Sequence, residues 1–169
     1  MKETKIIAIS DSHGRSALVR EVAKIEKPYD LMIHCGDLCD PGLKALGDET
    51  GIPFLAVRGN CDSDSSLPAE LNFEEGGKRF FVSHGHSYGV KWGTREILAR
   101  GIRNGADIVF FGHTHEPLLE RDPGSNVYIL NPGSIAQPRQ RGRQQTYAVI
   151  TITADGEIKI TIKSLEGGY

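Results

Sequence analysis

The chain has 169 residues, a formal net charge of −2 and 38% hydrophobic residues. This length and composition predict one folded domain over residues 1–169 that buries a core without help from disulfides. The nearly balanced charge gives no signature of nucleic-acid binding, and no apolar run is long enough to span a bilayer. The first residues lack the pattern of a signal peptide, so we expect a cytoplasmic protein.

Runs of β-branched and apolar residues predict five strands in the first two thirds of the chain, at Lys5–Ile9, Leu31–His34, Phe54–Val57, Arg79–Val82 and Ile108–Phe111. Helical patterns lie between them at Ser16–Ile25 and Thr94–Arg103, with a weaker one at Leu43–Leu46. We interpret Gly47–Gly51 as a surface loop. Alternating strands and helices indicate an α/β fold with much parallel sheet.

The chain changes character after Gly112, where strand patterns follow one another without a helix. The predicted strands are Leu118–Arg121, Val127–Leu130, Tyr147–Thr153 and Glu157–Lys163, with a hairpin turn at Ala154–Gly156. This part of the chain should therefore add antiparallel strands, which gives mixed parallel and antiparallel sheets.

Cysteine usage argues against disulfides and a structural zinc site. Cys35, Cys39 and Cys61 are an odd number in a chain with no export signal, which predicts free thiols. Cys35 and Cys39 are also spaced too widely for the CxxC pair of a zinc knuckle.

Polar residues follow each of the five predicted strands, always beside a glycine. The segments are SDSHG at 10–14, GD at 36–37, GNCD at 59–62, SHG at 83–85 and GHTH at 112–115. Ligands bind open α/β sheets at the carboxyl ends of the strands, and His, Asp and Asn suit divalent cations such as Mn²⁺, Fe²⁺, Zn²⁺ or Ni²⁺. Turn chemistry alone explains Gly, Asn and Asp but has no need for histidine, so the repeated pattern predicts a metal site.

These segments, in this order, resemble those of the calcineurin-like metallophosphoesterase superfamily, over about residues 6–135. The short length and the GNCD variant look most like the small phosphodiesterase branch of bacteria and archaea, which also includes the scaffold subunit of eukaryotic retromer. The resemblance implies a four-layer α-β-β-α sandwich. It also implies two divalent metal ions, with Mn²⁺ the first choice.

The resemblance assigns a ligand to each segment. Asp11, His13, Asp37 and His115 would hold the first ion, and Asn60, His84 and His113 would hold the second, with Asp37 bridging both. A metal-bridging hydroxide would attack phosphorus in line, with no covalent intermediate. Because the other ligands are neutral, the loaded site would keep about one positive charge, which favours a phosphate ester.

Cys61 departs from the pattern of many relatives. They have a histidine after this asparagine, which is thought to protonate the leaving group and to be oriented by the following acidic residue, here Asp62. A thiol with a pKa of ~8.5 is a poor substitute, so Cys61 marks a vacant general-acid position. We expect a phosphodiesterase that is weak on unactivated monoesters.

Other residues have weaker signals. His86 and Arg139 are candidates for substrate binding, whereas Arg141, Arg143 and Trp92 have no assigned role, and His34 is expected to be a hydrogen-bonded core histidine. Two alternatives stay open: a non-catalytic scaffold of the retromer-subunit type and a phosphomonoesterase. The expected partner is a small phosphodiester substrate, and a homodimer or higher homo-oligomer is also open.

Overall fold

A computed structural model describes residues 2–165. Its strands are β1 Thr4–Ile9, β2 Leu31–His34, β3 Phe54–Ala56, β4 Glu70–Glu75, β5 Lys78–Ser83, β6 Ile108–Phe110, β7 Pro117–Arg121, β8 Tyr128–Pro132, β9 Thr146–Ile152 and β10 Ile158–Ser164. Its α-helices are α1 Ser16–Ile25, α2 Leu46–Thr50 and α3 Arg95–Arg103. None of the helices in the described residues is long and apolar enough to cross a membrane.

The strands form two five-stranded sheets. The first has the order β10-β9-β1-β2-β3 and the second has the order β4-β5-β6-β8-β7. The strands β1, β2 and β3 run parallel, as do β5, β6 and β8, while β9, β10, β4 and β7 pair antiparallel with their neighbours. Both sheets are therefore mixed, as the sequence predicts.

Three apolar clusters hold the layers together. Side chains from both sheets meet between them, among them Ile6 and Ile33 from the first sheet and Phe80 and Phe110 from the second. The outer face of the first sheet packs on α1 through residues such as Ile7, Met32, Val19 and Val22. The outer face of the second sheet packs on α3 through residues such as Phe81, Val109 and Ile97. The predicted four-layer α-β-β-α sandwich is confirmed.

Two local predictions are wrong. The segment 47–51 is not a loop, because α2 covers Leu46–Thr50 and ends at Gly51, whose φ of 70° gives the left-handed C-cap that glycine adopts without strain. The predicted helix at Leu43–Leu46 is a 3₁₀ turn over Pro41–Ala45 that leads into α2. β4 is not predicted from the sequence either: its six residues carry three glutamates and lie at the edge of the second sheet.

Candidate metal centre

The polar segments after β1, β2, β3, β5 and β6 meet at one place. Three of these strands belong to the first sheet and two to the second, so the site lies across the two sheets rather than at the edge of one. The main chain links the segments, because Asp11 N donates to Gly36 O at 3.0 Å and Gly112 N donates to His84 O at 3.1 Å. The sandwich thus brings together side chains that are up to about a hundred residues apart.

Four side chains form a compact cluster of metal-type donors, with one donor atom of each within 4.8 Å of all the others: Asp11, His13, Asp37 and His115. His115 Nε2 lies 3.2 Å from His13 Nε2 and 3.1 Å from Asp11 Oδ1. Despite that proximity, Asp11 Oδ1 is buried and has no well-aligned hydrogen bond within the described residues. A buried carboxylate oxygen without a donor is costly, and a cation among these atoms would satisfy it. The cluster fits a divalent metal ion.

A second group adjoins this cluster. His84 Nε2 lies 3.3 Å from Asp37 Oδ2 and 3.1 Å from Asn60 Oδ1. The ring of His113 lies against that of His84, with the centroids 5.1 Å apart. Asn60, His84 and His113 therefore offer nitrogen and oxygen donors beside the first cluster.

Asp37 belongs to both groups. Its Oδ1 accepts a hydrogen bond from Cys61 N at 2.9 Å, which fixes the carboxylate. Its Oδ2 lies 3.6 Å from His13 Nε2 and 3.3 Å from His84 Nε2. One oxygen is thus held by the backbone while the other faces both sets of nitrogen donors.

Backbone carbonyls orient two of the histidines. His84 Nδ1 lies 2.7 Å from Cys35 O, and His115 Nδ1 lies 2.7 Å from Gln137 O. Because a carbonyl only accepts hydrogen bonds, Nδ1 carries the proton in each ring. The lone pair of Nε2 in the neutral ring then points into the site, as a metal-binding histidine requires.

The charges of the site favour cation binding near neutral pH. Burial opposes the negative charge of Asp11, but the nearby ring of His115 and the charge of His84 outweigh it and lower its pKa. Asp37 is also buried, yet its hydrogen bond to His84 holds its pKa well below the usual range. Burial, His84 and Lys91 lower the pKa of His113 to about 4. The two carboxylates are therefore charged and His113 is neutral at pH 7, as metal ligands must be.

The pKa of His84 is shifted upward, whereas that of His113 is shifted downward. Burial disfavours its charged form, but the hydrogen bond to Asp37 and the charge of Asp11 outweigh burial and raise its pKa. A proton on His84 therefore competes with a cation at acid pH.

Five of the candidate ligands have left-handed backbone conformations although none is glycine: Asp11 (φ 55°), His13 (φ 44°), Asp37 (φ 58°), His113 (φ 69°) and His115 (φ 58°), and Cys39 beside them has φ 54°. Each such residue costs of order 1–3 kcal/mol and persists only where the surrounding structure imposes it. All five are candidate ligands, so the chain adopts unfavourable backbone geometry where it turns these side chains into the site.

Glycines provide room for the same side chains. A Cβ on Gly59 would lie 2.1 Å from Asp37 Oδ1, and a Cβ on Gly36 would lie 2.6 Å from His84 Nδ1. The φ of Gly59 lies outside the left-handed region, so close approach to Asp37, rather than a sharp turn, requires glycine there.

Further residues, which the sequence does not identify as loop supports, hold the ligand loops in place. The carboxylate of Asp62 accepts hydrogen bonds from the main-chain N–H groups of Asp37, Cys39 and Gly59, each at 2.8 Å. Asp62 thus ties the loop after β2 to the loop after β3. Ser134, just after β8, donates from Oγ to Asp11 O at 2.8 Å. A signal for Asp62 exists in its position after the GNC segment, but nothing in the sequence identifies the carbonyl of Gln137.

The remaining predicted residues surround the cluster. Cys61 is exposed, and its Sγ lies 3.5 Å from Asn60 Nδ2. The exposed His86 has its ring 5.4 Å from that of His84 and 6.1 Å from that of His113. The side chain of Arg139 is exposed as well, and its main-chain N–H donates to His115 O at 3.0 Å.

The structure also places Trp92, His34 and the three cysteines. Trp92 is 95% exposed, so it packs on neither the site nor the core. His34 is fully buried and lies 2.9 Å from Ser12 Oγ, as expected of a hydrogen-bonded core histidine, and burial lowers its pKa to about 4. The cysteines are free thiols, as predicted.

The sequence matches a known family over most of its length. The profile of the calcineurin-like phosphoesterase superfamily domain matches residues 4–155. The chain is 37% identical to the probable metallophosphoesterase YsnB of Bacillus subtilis over 155 residues, which cover 89% of this chain and 85% of the relative. It is 26% identical to the phosphodiesterase MJ0936 of Methanocaldococcus jannaschii over 146 residues, which cover 76% of this chain and 82% of that protein.

Solved structures have the same fold. A predicted phosphoesterase from Streptococcus pneumoniae superposes with a TM-score of 0.78 at 28% identity, over 98% of this chain and 99% of that chain. A mutant of Vps29 from Entamoeba histolytica superposes with a TM-score of 0.72 at 18% identity, over 96% of this chain and 100% of that chain, a likeness of fold alone. The chain therefore belongs to the calcineurin-like phosphoesterase superfamily, and its relatives together with the convergent Asp and His cluster support a metal-dependent phosphoesterase.

Proposed function

We propose that the chain hydrolyses phosphodiesters with two divalent metal ions bound side by side. The observation that carries this proposal is the position of Asp37 Oδ2, 3.6 Å from His13 Nε2 and 3.3 Å from His84 Nε2. An anionic oxygen between two sets of nitrogen donors is suited to bridge two cations.

Each ion has its own ligands in this proposal. The first would be held by Asp11, His13, Asp37 and His115, and the second by Asp37, Asn60, His84 and His113. Imidazole and carboxylate ligands suit Mn²⁺, and also Ni²⁺, Fe²⁺ or Zn²⁺. The ions, when bound, supply an activated water and the positive charge that attracts and clamps phosphoryl oxygens.

The residues of the chain prepare the site for a phosphate ester. Asn60 supplies a neutral oxygen, which leaves the positive charge of the site uncancelled where a further carboxylate would reduce it. Lys91 and Arg58 add positive potential, since Lys91 lowers the pKa of His113 and Arg58 contributes to lowering that of His86 after burial and His84. The positive charges of Lys91 and Arg58 therefore help to attract a diester anion to the candidate ligands.

Cys61 determines which esters react in this proposal. A leaving alkoxide needs a proton, and a thiol with a pKa of ~8.5 donates it poorly at neutral pH. Burial and the charge of Asp37 raise the pKa of Cys61 further. Diesters with good leaving groups should react well and alkyl monoesters poorly.

Two other functions, a non-catalytic scaffold and a phosphomonoesterase, can be distinguished from a phosphodiesterase. A scaffold would use the fold to bind partners, and the fold similarity to Vps29 is compatible with that role. A scaffold has no need for seven converging donors, however, and their presence together supports an enzyme. A phosphomonoesterase would hydrolyse p-nitrophenyl phosphate at least as well as the corresponding diester.

The test is hydrolysis of bis(p-nitrophenyl) phosphate and p-nitrophenyl phosphate by metal-free protein supplied with Mn²⁺. We expect turnover of the diester to exceed that of the monoester, and we expect Asp37→Asn and His113→Ala to abolish it while circular dichroism stays unchanged. Asp40→Asn is a matched control, because Asp40 caps the turn at Gly42 and contacts no candidate ligand in the structure. No turnover with Mn²⁺, Ni²⁺ or Zn²⁺ in a folded sample would reject the proposal.

A further inference from the structure

A cleft of about 750 Å³ adjoins the first donor cluster and is lined by arginines. Its lining residues are Arg15, Ala136, Gln137, Pro138, Arg139, Arg143 and Gln145. This volume lies within the range of about 300–1,000 Å³ that small-molecule sites occupy. Among the described residues, the lining contains three guanidinium groups and no carboxylate, so the cleft is suited to an anion.

The arginines of the cleft form no ion pair with the acidic residues that the structure describes. No ion pair joins Arg15, Arg139 or Arg143 to an acidic side chain within residues 2–165, whereas Arg20 and Arg100 each have one. Arg15 instead donates from Nη1 to Ala136 O at 3.4 Å, which holds its guanidinium on the wall of the cleft. The cleft thus has positive charges that the described chain does not neutralise.

Hydrogen bonds join the wall of the cleft to the candidate metal centre. Gln137 O accepts the hydrogen bond from His115 Nδ1 at 2.7 Å, and Arg139 N donates to His115 O at 3.0 Å. Arg15 follows His13 by two residues on the same loop. The wall of the cleft therefore adjoins His115, which places the arginines beside the first cluster.

The inner wall of the cleft is polar as well. Gln145 is 8% exposed, and its Oε1 is buried without a hydrogen-bond partner among the residues that the structure describes.

We propose that this cleft binds a second phosphate group on the substrate, so that the preferred diester is one that carries a further phosphate beside the bond that is cleaved. The inference rests on the proposed phosphodiesterase function and adds a substrate class to it. Arginine can hold a phosphate through two parallel charge-assisted hydrogen bonds, which makes it more selective for this group than a lone positive charge.

The test compares three substrates: the dinucleoside monophosphate TpT, and the same molecule with a terminal phosphate at either end, pTpT and TpTp. With Mn²⁺ present, we expect kcat/KM for one phosphorylated form to exceed that for TpT about tenfold or more, since a hydrogen bond to a charged group contributes roughly the energy of one decade. In the double variant Arg139→Gln/Arg143→Gln this ratio should fall toward one. Arg139→Lys should lower the ratio in part, because lysine keeps the charge but loses the planar fork.

Arg141→Gln is the matched control, because Arg141 lies in the same exposed loop but does not line the cleft. Its ratio should equal that of the wild type. Equal kcat/KM for all three substrates in the wild type, or a preference that persists in the double variant, would overturn the inference.

A binding measurement separates this inference from the proposed function. Calorimetric titration of pTpT and TpTp into metal-free protein at low salt should give an affinity for at least one of them about tenfold or more above that of the double variant. If no diester is hydrolysed but this difference is found, the phosphodiesterase proposal fails and the cleft remains. If TpT is hydrolysed but the arginines affect neither the ratio of kcat/KM values nor the affinity for pTpT and TpTp, the inference about the cleft is wrong and the phosphodiesterase proposal stands.

Discussion

At the scale of single residues, the site departs from what local propensity favours. Asp11, Asp37 and His115 have backbone angles that non-glycine residues avoid, and Asp11 Oδ1 is buried without an aligned donor. Departures of this kind cluster where a protein retains function at a cost to stability. A bound cation would compensate that cost, because it would interact favourably with the same oxygen.

The space at Gly59 gives the first prediction at this scale. In Gly59→Ala, the new methyl group would meet Asp37 Oδ1 at 2.1 Å and Asp37 N at 2.4 Å, so the carboxylate must move. We expect Mn²⁺ affinity to fall at least about tenfold, because one displaced carboxylate oxygen costs more than 1.4 kcal/mol of binding. Calorimetric titration with Mn²⁺ measures this change.

Gly124→Ala is the control for Gly59→Ala, since its Cβ would approach only Asp122 Oδ2 at an ordinary 3.4 Å. Its Mn²⁺ affinity should match that of the wild type. Unchanged affinity in Gly59→Ala would mean that Asp37 is not a metal ligand.

Cys61→His tests why monoesters should be poor substrates. The side chain at this position is exposed, so the larger imidazole fits without disturbing the core. An imidazolium donates a proton to the leaving group more readily than a thiol, and general-acid catalysis contributes about 10²–10⁴-fold. We expect the rate on glycerol 2-phosphate, an alkyl monoester whose leaving group needs a proton, to rise at least about tenfold relative to the wild type, whereas Cys61→Ser should show no rise. A monoester rate that stays constant in Cys61→His would show that the missing histidine does not determine specificity.

At the scale of elements, the strands could be predicted from the sequence where they are buried. The continuous apolar runs of β1, β2 and β6 are covered on both faces, which makes them easy to recognise. β4 was missed because its edge position leaves glutamates on half of its residues, a pattern that hydrophobicity does not identify. α2 was missed because a five-residue helix lacks an amphipathic period, and its buried Leu46 belongs to the core only in the folded chain.

The position of a residue relative to the strands decides whether its role in the candidate site could be predicted from the sequence. The ligand candidates were visible because Asp and His stand directly after recognisable strands. Their supports were not, because Asp62 acts through main-chain N–H groups of two other loops and Gln137 through its own carbonyl. Contacts of this kind depend on the packing of the two sheets, which a single sequence does not reveal.

At the scale of the whole molecule, one buried carboxylate joins α1 to the first sheet. Glu26, directly after α1, contacts Lys5 of β1 at 2.8 Å, accepts a hydrogen bond from Tyr147 of β9 at 2.7 Å and pairs with Lys163 of β10. Burial alone would raise its pKa, but these partners outweigh burial and lower it to about 2.

This depressed pKa predicts a pH dependence of stability. The contribution of Glu26 is present above its ordinary pKa of 4.5 and is lost as the pH falls toward about 2. Glu26→Gln should therefore lower the free energy of unfolding by about 1–3 kcal/mol at pH 7 and by much less near pH 2. Urea unfolding at both pH values measures the difference.

The matched control is Glu49→Gln, which removes the exposed partner of Arg20 and should change stability little at either pH. An equal loss of stability in Glu26→Gln at pH 7 and pH 2 would show that the charge of Glu26 does not stabilise the fold.

The central claim is that two metal ions act together in one site. The most direct test adds Mn²⁺ in steps to metal-free protein, while bound Mn²⁺ is followed by electron paramagnetic resonance and hydrolysis of bis(p-nitrophenyl) phosphate is followed in the same samples. We predict that the rate saturates at two equivalents of Mn²⁺ per chain, together with the spectrum of a coupled pair of ions. Full activity at one equivalent without a coupled spectrum, or no activity at any Mn²⁺ concentration, would contradict the claim.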